Sequence, residues 1–405
     1  MDPRIFLLPL GAFAVGTGNI VFVGVLEPLA NDLGVSIATA GQLATAFAIA
    51  YALSAPLLVS LTARLPRRPL LALALLVFTV ANAGMALAPD FAALVPLRVL
   101  AALATALYMP IAMGTAVTLA GPGYQGRAMA VVLFGLTAAF LGGIPLGTWL
   151  GSTAGWRASF GFAAILGLVS LAVIAPALPR LPGTSSRGLR GIAVVLRPAV
   201  AGNLAITTLA FVAVFCTNAY IGPIVTRANG FGGAGIAMMQ VVLGLGGVLG
   251  VPLGGWLADR GASLGLVATM LAAILLAQPV YSLFMLVPGW SATAASVVFV
   301  GAAMMIASGA LFALGPVQQH RLIGIAPDER DIVLSLNASA LFLGQGIGAA
   351  LGGLSAHHWS LAANGLVGGA VALATIAGIA LVAARGRSAS TRTANEREST
   401  RIEEP

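Results

Sequence analysis

The chain has no lysine: its 20 basic residues are all arginine, set against 12 acidic residues. Charged residues make up 8% of the 405 positions, where soluble domains carry about 25%. Cysteine occurs once, as Cys216 inside an apolar run, which excludes an internal disulfide framework and a cysteine-based zinc site. The three histidines, His320, His357 and His358, lack metal-ligand spacing with one another, so neither a metal nor a cofactor is expected. No HExxH sequence and no paired carboxylates within an apolar run mark a membrane enzyme. The net charge of +8 does not read as a nucleic-acid footprint, because the arginines sit in short breaks between apolar runs rather than along one polar face.

What the chain does contain is apolar surface. Hydrophobic residues make up 59% of it and the mean hydropathy is +1.01. One water-soluble core of this length has no room for so much, and a lipid bilayer is the expected surrounding. A span needs about 20 apolar residues. Runs of that kind occur at 5–27, 41–62, 70–88, 92–119, 128–150, 158–178, 199–222, 235–258, 264–287, 292–317, 332–356 and 361–384. The first is too long for a signal-peptide core and fits a membrane span. The expected fold is therefore all-α and integral to the inner (plasma) membrane, with twelve transmembrane helices in two six-helix bundles.

Arginine placement gives an orientation. With both termini cytoplasmic, 17 arginines face inward, Arg157 and Arg227 fall outside, and Arg98 lies within the fourth span. The Arg-, Pro-, Gly- and Ser-rich break at 179–198 divides a bundle at 1–178 from one at 199–384. Residues 385–405 read as a disordered cytoplasmic tail. The halves echo each other. Pro56, Leu57, Leu61 and Arg64 recur at the same offsets as Pro252, Leu253, Leu257 and Arg260, and Gly143, Gly147 and Gly151 mirror Gly344, Gly348 and Gly352. Small residues every fourth position let helix backbones approach, and repeats of this kind suit alternating access around a midplane site.

Several residues are candidates for function. Arg98 is costly inside a membrane and is expected to face the bundle interior and find acceptors, with a role in coupling or substrate orientation. Glu27 is the one carboxylate that reaches the outer vestibule from within a span, and is the second coupling candidate. Asn19, Tyr51, Tyr108, Asn218, Tyr220, Asn337 and Gln345 are neutral polar residues inside spans, expected to line a substrate cavity because an amide facing lipid is expensive. Such a lining suits a neutral, flat or amphipathic solute. Arg64, Arg67 and Arg68, with Gly255, Asp259 and Arg260, are expected to form a conformational latch at the cytoplasmic ends of the second and eighth spans.

These stretches carry a resemblance. Gly16-Thr17 with Gly24, Asn31-Asp32-Leu33-Gly34, Ala40-Gly41-Gln42-Leu43, Arg98-Val99-Leu100, Gly143-Ile144-Pro145-Leu146-Gly147, Gly155-Trp156-Arg157, Gly255 to Arg260, Gln318-Gln319, Ile325-Ala326-Pro327 and Ser335-Leu336-Asn337-Ala338-Ser339 resemble the major facilitator superfamily. The likeness covers residues 5–384. It is nearest the drug:proton antiporter type, the arabinose-efflux-permease and purine-base or nucleoside efflux-pump kind. It implies a secondary transporter that acts as a monomer and exports a small neutral organic solute, such as a purine base, nucleoside or phenicol-like drug, against protons. Sugar efflux, solute uptake and a transport-inactive membrane sensor are the alternatives. The resemblance also implies that Gly143, Pro145 and Gly147 are the antiporter motif and that Arg98 is the fourth-helix arginine of proton coupling. Two positions depart from the pattern: Asn19 stands where these families carry a first-helix Glu, and Ala63 where they carry an Asp.

Overall fold

The computed structural model describes residues 2–121, 124–183 and 193–381. Arg187, Arg190 and the tail at 385–405 lie outside the described residues. Among the described residues, twelve helices are long and apolar enough to cross a bilayer: Pro3–Asp32, Ile37–Thr62, Arg67–Ala86, Phe91–Ala120, Arg127–Ala154, Trp156–Ala177, Pro198–Asn218, Gly233–Asp259, Leu264–Leu286, Ala294–Ile325, Ile332–His358 and Ala363–Leu381. They are called the first to the twelfth span below. Side-chain caps set several starts by satisfying orphan N–H groups of the first turn. Ser36 Oγ accepts from Thr39 N at 3.0 Å, Asp90 from Ala93 N at 2.8 Å and Ser263 from Leu266 N at 3.1 Å.

Besides the first span, three spans differ most from the apolar runs. The tenth continues to Ile325, eight residues past the run, because Gln318 to Arg321 hold helical geometry where no longer apolar. The seventh stops at Asn218, turns through Ala219 and Tyr220, and resumes as a short helix, Ile221–Asn229. The fifth contains one π turn, Ala139–Gly143. There the Ile144 N–H reaches back five residues to Ala139 O. Pro145 follows with no N–H to give the ladder, and such single widened turns are the usual form of π structure.

The glycine stripes do matching work in the two halves. A methyl at Gly143, Gly147 or Gly151 would meet Thr17, Val21 or Val25, four residues apart on the first span. At Gly344, Gly348 and Gly352 it would meet the carbonyls of Thr208, Val212 and Cys216 on the seventh. Each stripe thus seats one broken span of its own half, against side chains in the first half and against backbone in the second.

The bundle has two ends. The Asp32 end holds residues 33–36, 87–90, 155, 230–232, 287–293 and 359–362; the Arg64 end holds 63–66, 121, 124–126, 178–183, 193–197, 260–263 and 326–331. One apolar core contains residues of both halves, including Phe22, Phe47 and Tyr51 from the first and Tyr220, Ile224 and Met304 from the second. It occupies the Asp32 end and the middle. Toward the Arg64 end the cores separate: Leu8, Phe78, Tyr108 and Ile174 pack within the first half, and Met270, Leu314, Val200 and Leu322 within the second. Large apolar side chains such as Leu53, Phe134, Leu276 and Leu366 are exposed around the outside, a surface that belongs in lipid.

Candidate functional site

The first span is helical from Leu8 to Ile20, passes through a tight 3₁₀ stretch at Val21–Val25, and resumes at Leu26–Asp32. A helix that stops inside a membrane leaves carbonyls without partners. Arg98, fully buried, supplies them. Its Nη1 donates to Gly18 O at 2.9 Å, its Nη2 to Asn19 O at 2.7 Å and its Nε to Leu43 O of the second span at 3.4 Å. The rings of Phe22 and Phe47 lie 4.5 and 4.7 Å from the guanidinium carbon. Among the described residues, no carboxylate forms an ion pair with it. A buried arginine costs about 2.5–3.5 kcal/mol on insertion scales. Here the cost is offset by charged hydrogen bonds, by the negative pole of a helix C-terminus and by two aromatic faces. Thr17 Oγ1 and Asn19 Oδ1, beside this break, are buried with no hydrogen-bond partner.

The seventh span breaks at the matching place, with Asn218, half-buried, as the last residue of its helix. Neutral groups serve there: Asn364 Nδ2 donates to Cys216 O at 3.0 Å, Thr217 Oγ1 to Gln278 Oε1 at 3.0 Å and Tyr220 Oη to Ala349 O at 2.9 Å. Tyr220 also fills the seam between the halves, against Gly41 and Gly353.

Midway along the bundle, aromatic pairs join the halves. Tyr51 stacks on Phe342 with ring centroids 3.6 Å apart, and Phe140 meets Phe312 edge-on at 5.1 Å. Thr45 Oγ1 donates to Gly346 O at 3.3 Å, and Thr148 Oγ1 donates to Gln240 Oε1 at 2.7 Å. Among the described residues, no hydrogen bond or ion pair joins the halves between Tyr51 and the Arg64 end. Gln345, one turn from Phe342, is buried and makes no side-chain hydrogen bond among the described residues.

The seven residues expected to line one cavity are not gathered into one. Asn19 and Asn218 sit at the two breaks, and Tyr51 and Gln345 near the middle of the seam. Tyr220 lies in the seam closer to the Asp32 end. Tyr108 is packed inside the first half against Gly11, with its hydroxyl given to Leu8 O at 2.8 Å, because an amphipathic ring deep in a bundle satisfies its hydroxyl on the nearest carbonyl. Asn337 belongs to a separate buried cluster nearer the Arg64 end. Its Oδ1 accepts from Thr207 Oγ1 at 2.9 Å, and Gln318 Nε2 donates to Asn203 O at 2.9 Å.

Glu27 lies eight residues past Asn19, about 12 Å further along at helical rise, and lines a cleft at the Asp32 end rather than joining Arg98. The expected latch is not closed in this structure. Among the described residues Asp259 has no ion pair; Arg260 lies over its own Trp256 ring at 3.5 Å, Arg64 is exposed, Arg67 lies against Gly114, Arg68 is half-buried, and Gly255 faces open space. Gly143, Pro145 and Gly147 sit at the π turn and just after it, against the first span. Composition did not single out Phe140, Phe312 and Phe342, because phenylalanine in so apolar a chain carries no signal of its own.

Comparison with known proteins agrees with this architecture. Residues 8–321 match the family model described as Major Facilitator Superfamily. The MFS-type transporter YbcL of Bacillus subtilis (strain 168) is 31% identical over 367 residues, 90% of this chain and 92% of its own. The inner membrane transport protein YdhP of Escherichia coli (strain K12) is 33% identical, covering 85% and 87%. A chloramphenicol resistance protein of Streptomyces lividans is 34% identical, covering 64% and 68%. The fold also matches the solved nucleoside transporter NupG, with a TM-score of 0.74, 13% identity and 93% and 98% of the chains covered. It matches the D-xylose-proton symporter with a TM-score of 0.72, 16% identity and coverage of 93% and 96%. Twelve spans, broken first and seventh helices held by glycine stripes, and relatives matched along most of their length place this multi-pass inner-membrane chain in the Major Facilitator Superfamily of transporters.

Proposed function

We propose that the chain is a proton-coupled exporter of a small neutral organic solute, a purine base, nucleoside or phenicol-like drug, and that it stands here open to the cytoplasm. The observation that carries this reading is the unequal sealing of the two ends. Aromatic stacks, a shared core and the Thr148–Gln240 hydrogen bond join the halves from the middle to the Asp32 end, whereas the cores part toward the Arg64 end. The arginine-rich end is the cytoplasmic one by the positive-inside rule, so the central path opens inward. The units that rock against each other are residues 1–178 and 199–384, and Asp259 and Arg260, which form no ion pair among the described residues, close on the Arg64 to Arg68 loop in the opposite state.

The polar groups near the seam, Gln345, Asn19 and Asn218, are neutral, which favours an uncharged solute over a phosphate. Export is supported by the chloramphenicol resistance protein among the relatives. Arg98 is the buried charge available to sense a proton's arrival, with Asn19 Oδ1 beside it for a hydrogen-bonded solute or water. The test is uptake of chloramphenicol, adenine and inosine into inverted vesicles with the proton gradient present and collapsed. Accumulation of at least one, lost on collapse, is expected. Uptake equal to that of vesicles lacking the protein overturns the reading.

A further inference from the structure

The Asp32 end carries a cleft of about 430 Å³ between the halves. Glu27, Pro28 and Ser152 line it from the first half, and Pro223, Phe231 and Ile236 from the second. Clefts of roughly 300–1,000 Å³ take drug-sized molecules. Its walls are mostly apolar, with Asn31, Ser152 and Thr226 as neutral polar groups, and Glu27 is the one charged residue among those lining it.

The other carboxylates at this end are committed. Asp32 accepts from Trp156 Nε1 at 2.9 Å and from Arg157 Nη1 at 2.6 Å, and Asp90 caps the fourth span. Glu27 has no ion pair among the described residues. The nearby Arg227 lines a different pocket, with Ser36 and His357.

We propose that this cleft is a binding site for an amphiphilic organic cation, its ammonium paired with Glu27 and its apolar body packed on Pro28, Pro223, Phe231 and Ile236. An anion is repelled by Glu27, and a neutral body desolvates the carboxylate with nothing in return. A calcium ion wants six to eight oxygens, more than one carboxylate with the side chains of Asn31, Ser152 and Thr226 supplies. Both halves furnish walls, so the cleft exists only while this end is shut. A ligand with affinity for one state alone shifts the population toward it, and the bound cation therefore holds the transporter closed on the Asp32 side. It acts as an inhibitor rather than as cargo, which takes the inference beyond the proposed export of a neutral solute.

The test is isothermal titration of the purified full chain in detergent with benzyltrimethylammonium, and with benzenesulfonate and benzyl alcohol as anionic and neutral counterparts. The ammonium alone is expected to bind saturably. Glu27→Gln is expected to weaken it by about tenfold or more, the worth of one charge pair, and Phe231→Ala by several-fold through lost packing. Phe231→Ala keeps the question answerable if Glu27→Gln does not purify as a monodisperse protein. No saturable binding, equal binding of benzyl alcohol, or full affinity in both variants overturns the proposal. The titration measures no transport, so a failure of solute export in vesicles leaves this result standing, and a failure here leaves export untouched.

Discussion

The first span stops at Ile20 and the seventh at Asn218, and each leaves carbonyls in the interior of a membrane protein. Their treatment differs. In the first half a buried guanidinium reaches Gly18 O, Asn19 O and Leu43 O. In the second, the uncharged Asn364 reaches Cys216 O, while Thr217 donates to the Gln278 side chain and Tyr220 to Ala349 O of the eleventh span. A break can therefore be satisfied by neutral groups, and the charge at Arg98 is more than stability requires. Neutral amides respond weakly to a proton, whereas a cation in a low-dielectric site responds strongly. If transport is proton-coupled as proposed, the difference favours the first break for that role and leaves the second as passive structure.

Making the first break resemble the second is the strongest challenge to that division. Arg98→Gln keeps a donor long enough for one carbonyl and removes the charge. The protein is expected to insert and fold, with coupled transport reduced by about tenfold or more, which is the weight of roughly 1.4 kcal/mol on the transport cycle. Transport by the variant in vesicles with and without a proton gradient checks this. Normal gradient-dependent uptake would return Arg98 to the same passive role as Asn364.

The glycine stripes extend the comparison to packing. A methyl at Gly348 would lie 2.7 Å from Val212 O and 2.9 Å from Phe215 Cβ, so it presses on backbone. At Gly147 the nearest atom is a methyl of Val21, side chain rather than backbone. Overpacking costs about 1–3 kcal/mol. Gly348→Ala is expected near the upper figure and Gly147→Ala near the lower, read as thermal-melt shifts of the detergent-purified variants. The reverse order would mean that the first break, not the second, is the more tightly seated.

Asn19→Glu sharpens the same contrast from the other direction, because it restores a carboxylate where the residue's own carbonyl already accepts from Arg98. An acid within about 4–6 Å of a guanidinium is strongly coupled to it. Uptake is expected to become more dependent on the pH gradient, at modest cost to stability. A pH–rate profile identical to that of the unaltered chain would remove position 19 from the proton path.

Much of the fold was legible because long apolar runs have one stable arrangement in lipid. Arg98 was legible too: an arginine inside a span must find acceptors. Which acceptors was not, since Gly18 O and Asn19 O become available only where the helix stops, and nothing in Gly-Asn-Ile-Val marks that stop. The helix at Ile221–Asn229 was hidden for a like reason, because Asn218-Ala-Tyr220 reads as the polar end of an ordinary span. Tyr108 and Tyr220 are the same residue type in equally apolar surroundings, yet one is sealed inside a half and the other fills the seam. Only the rotation of each helix separates them, and an all-round apolar helix carries no periodic signal of rotation.

The smallest effect is expected at Asn364. Its Nδ2 donates to Cys216 O at 3.0 Å, the neutral counterpart of one Arg98 hydrogen bond. Interhelical hydrogen bonds in membrane proteins average about 0.6 kcal/mol and reach roughly 1.7. Asn364→Ala should therefore lower the melting temperature slightly and leave the proton dependence of uptake unchanged. If Asn364→Ala instead abolishes gradient-driven uptake, as Arg98→Gln is expected to, the two breaks share the coupling and the division between a charged, responsive half and a neutral, supporting half is wrong.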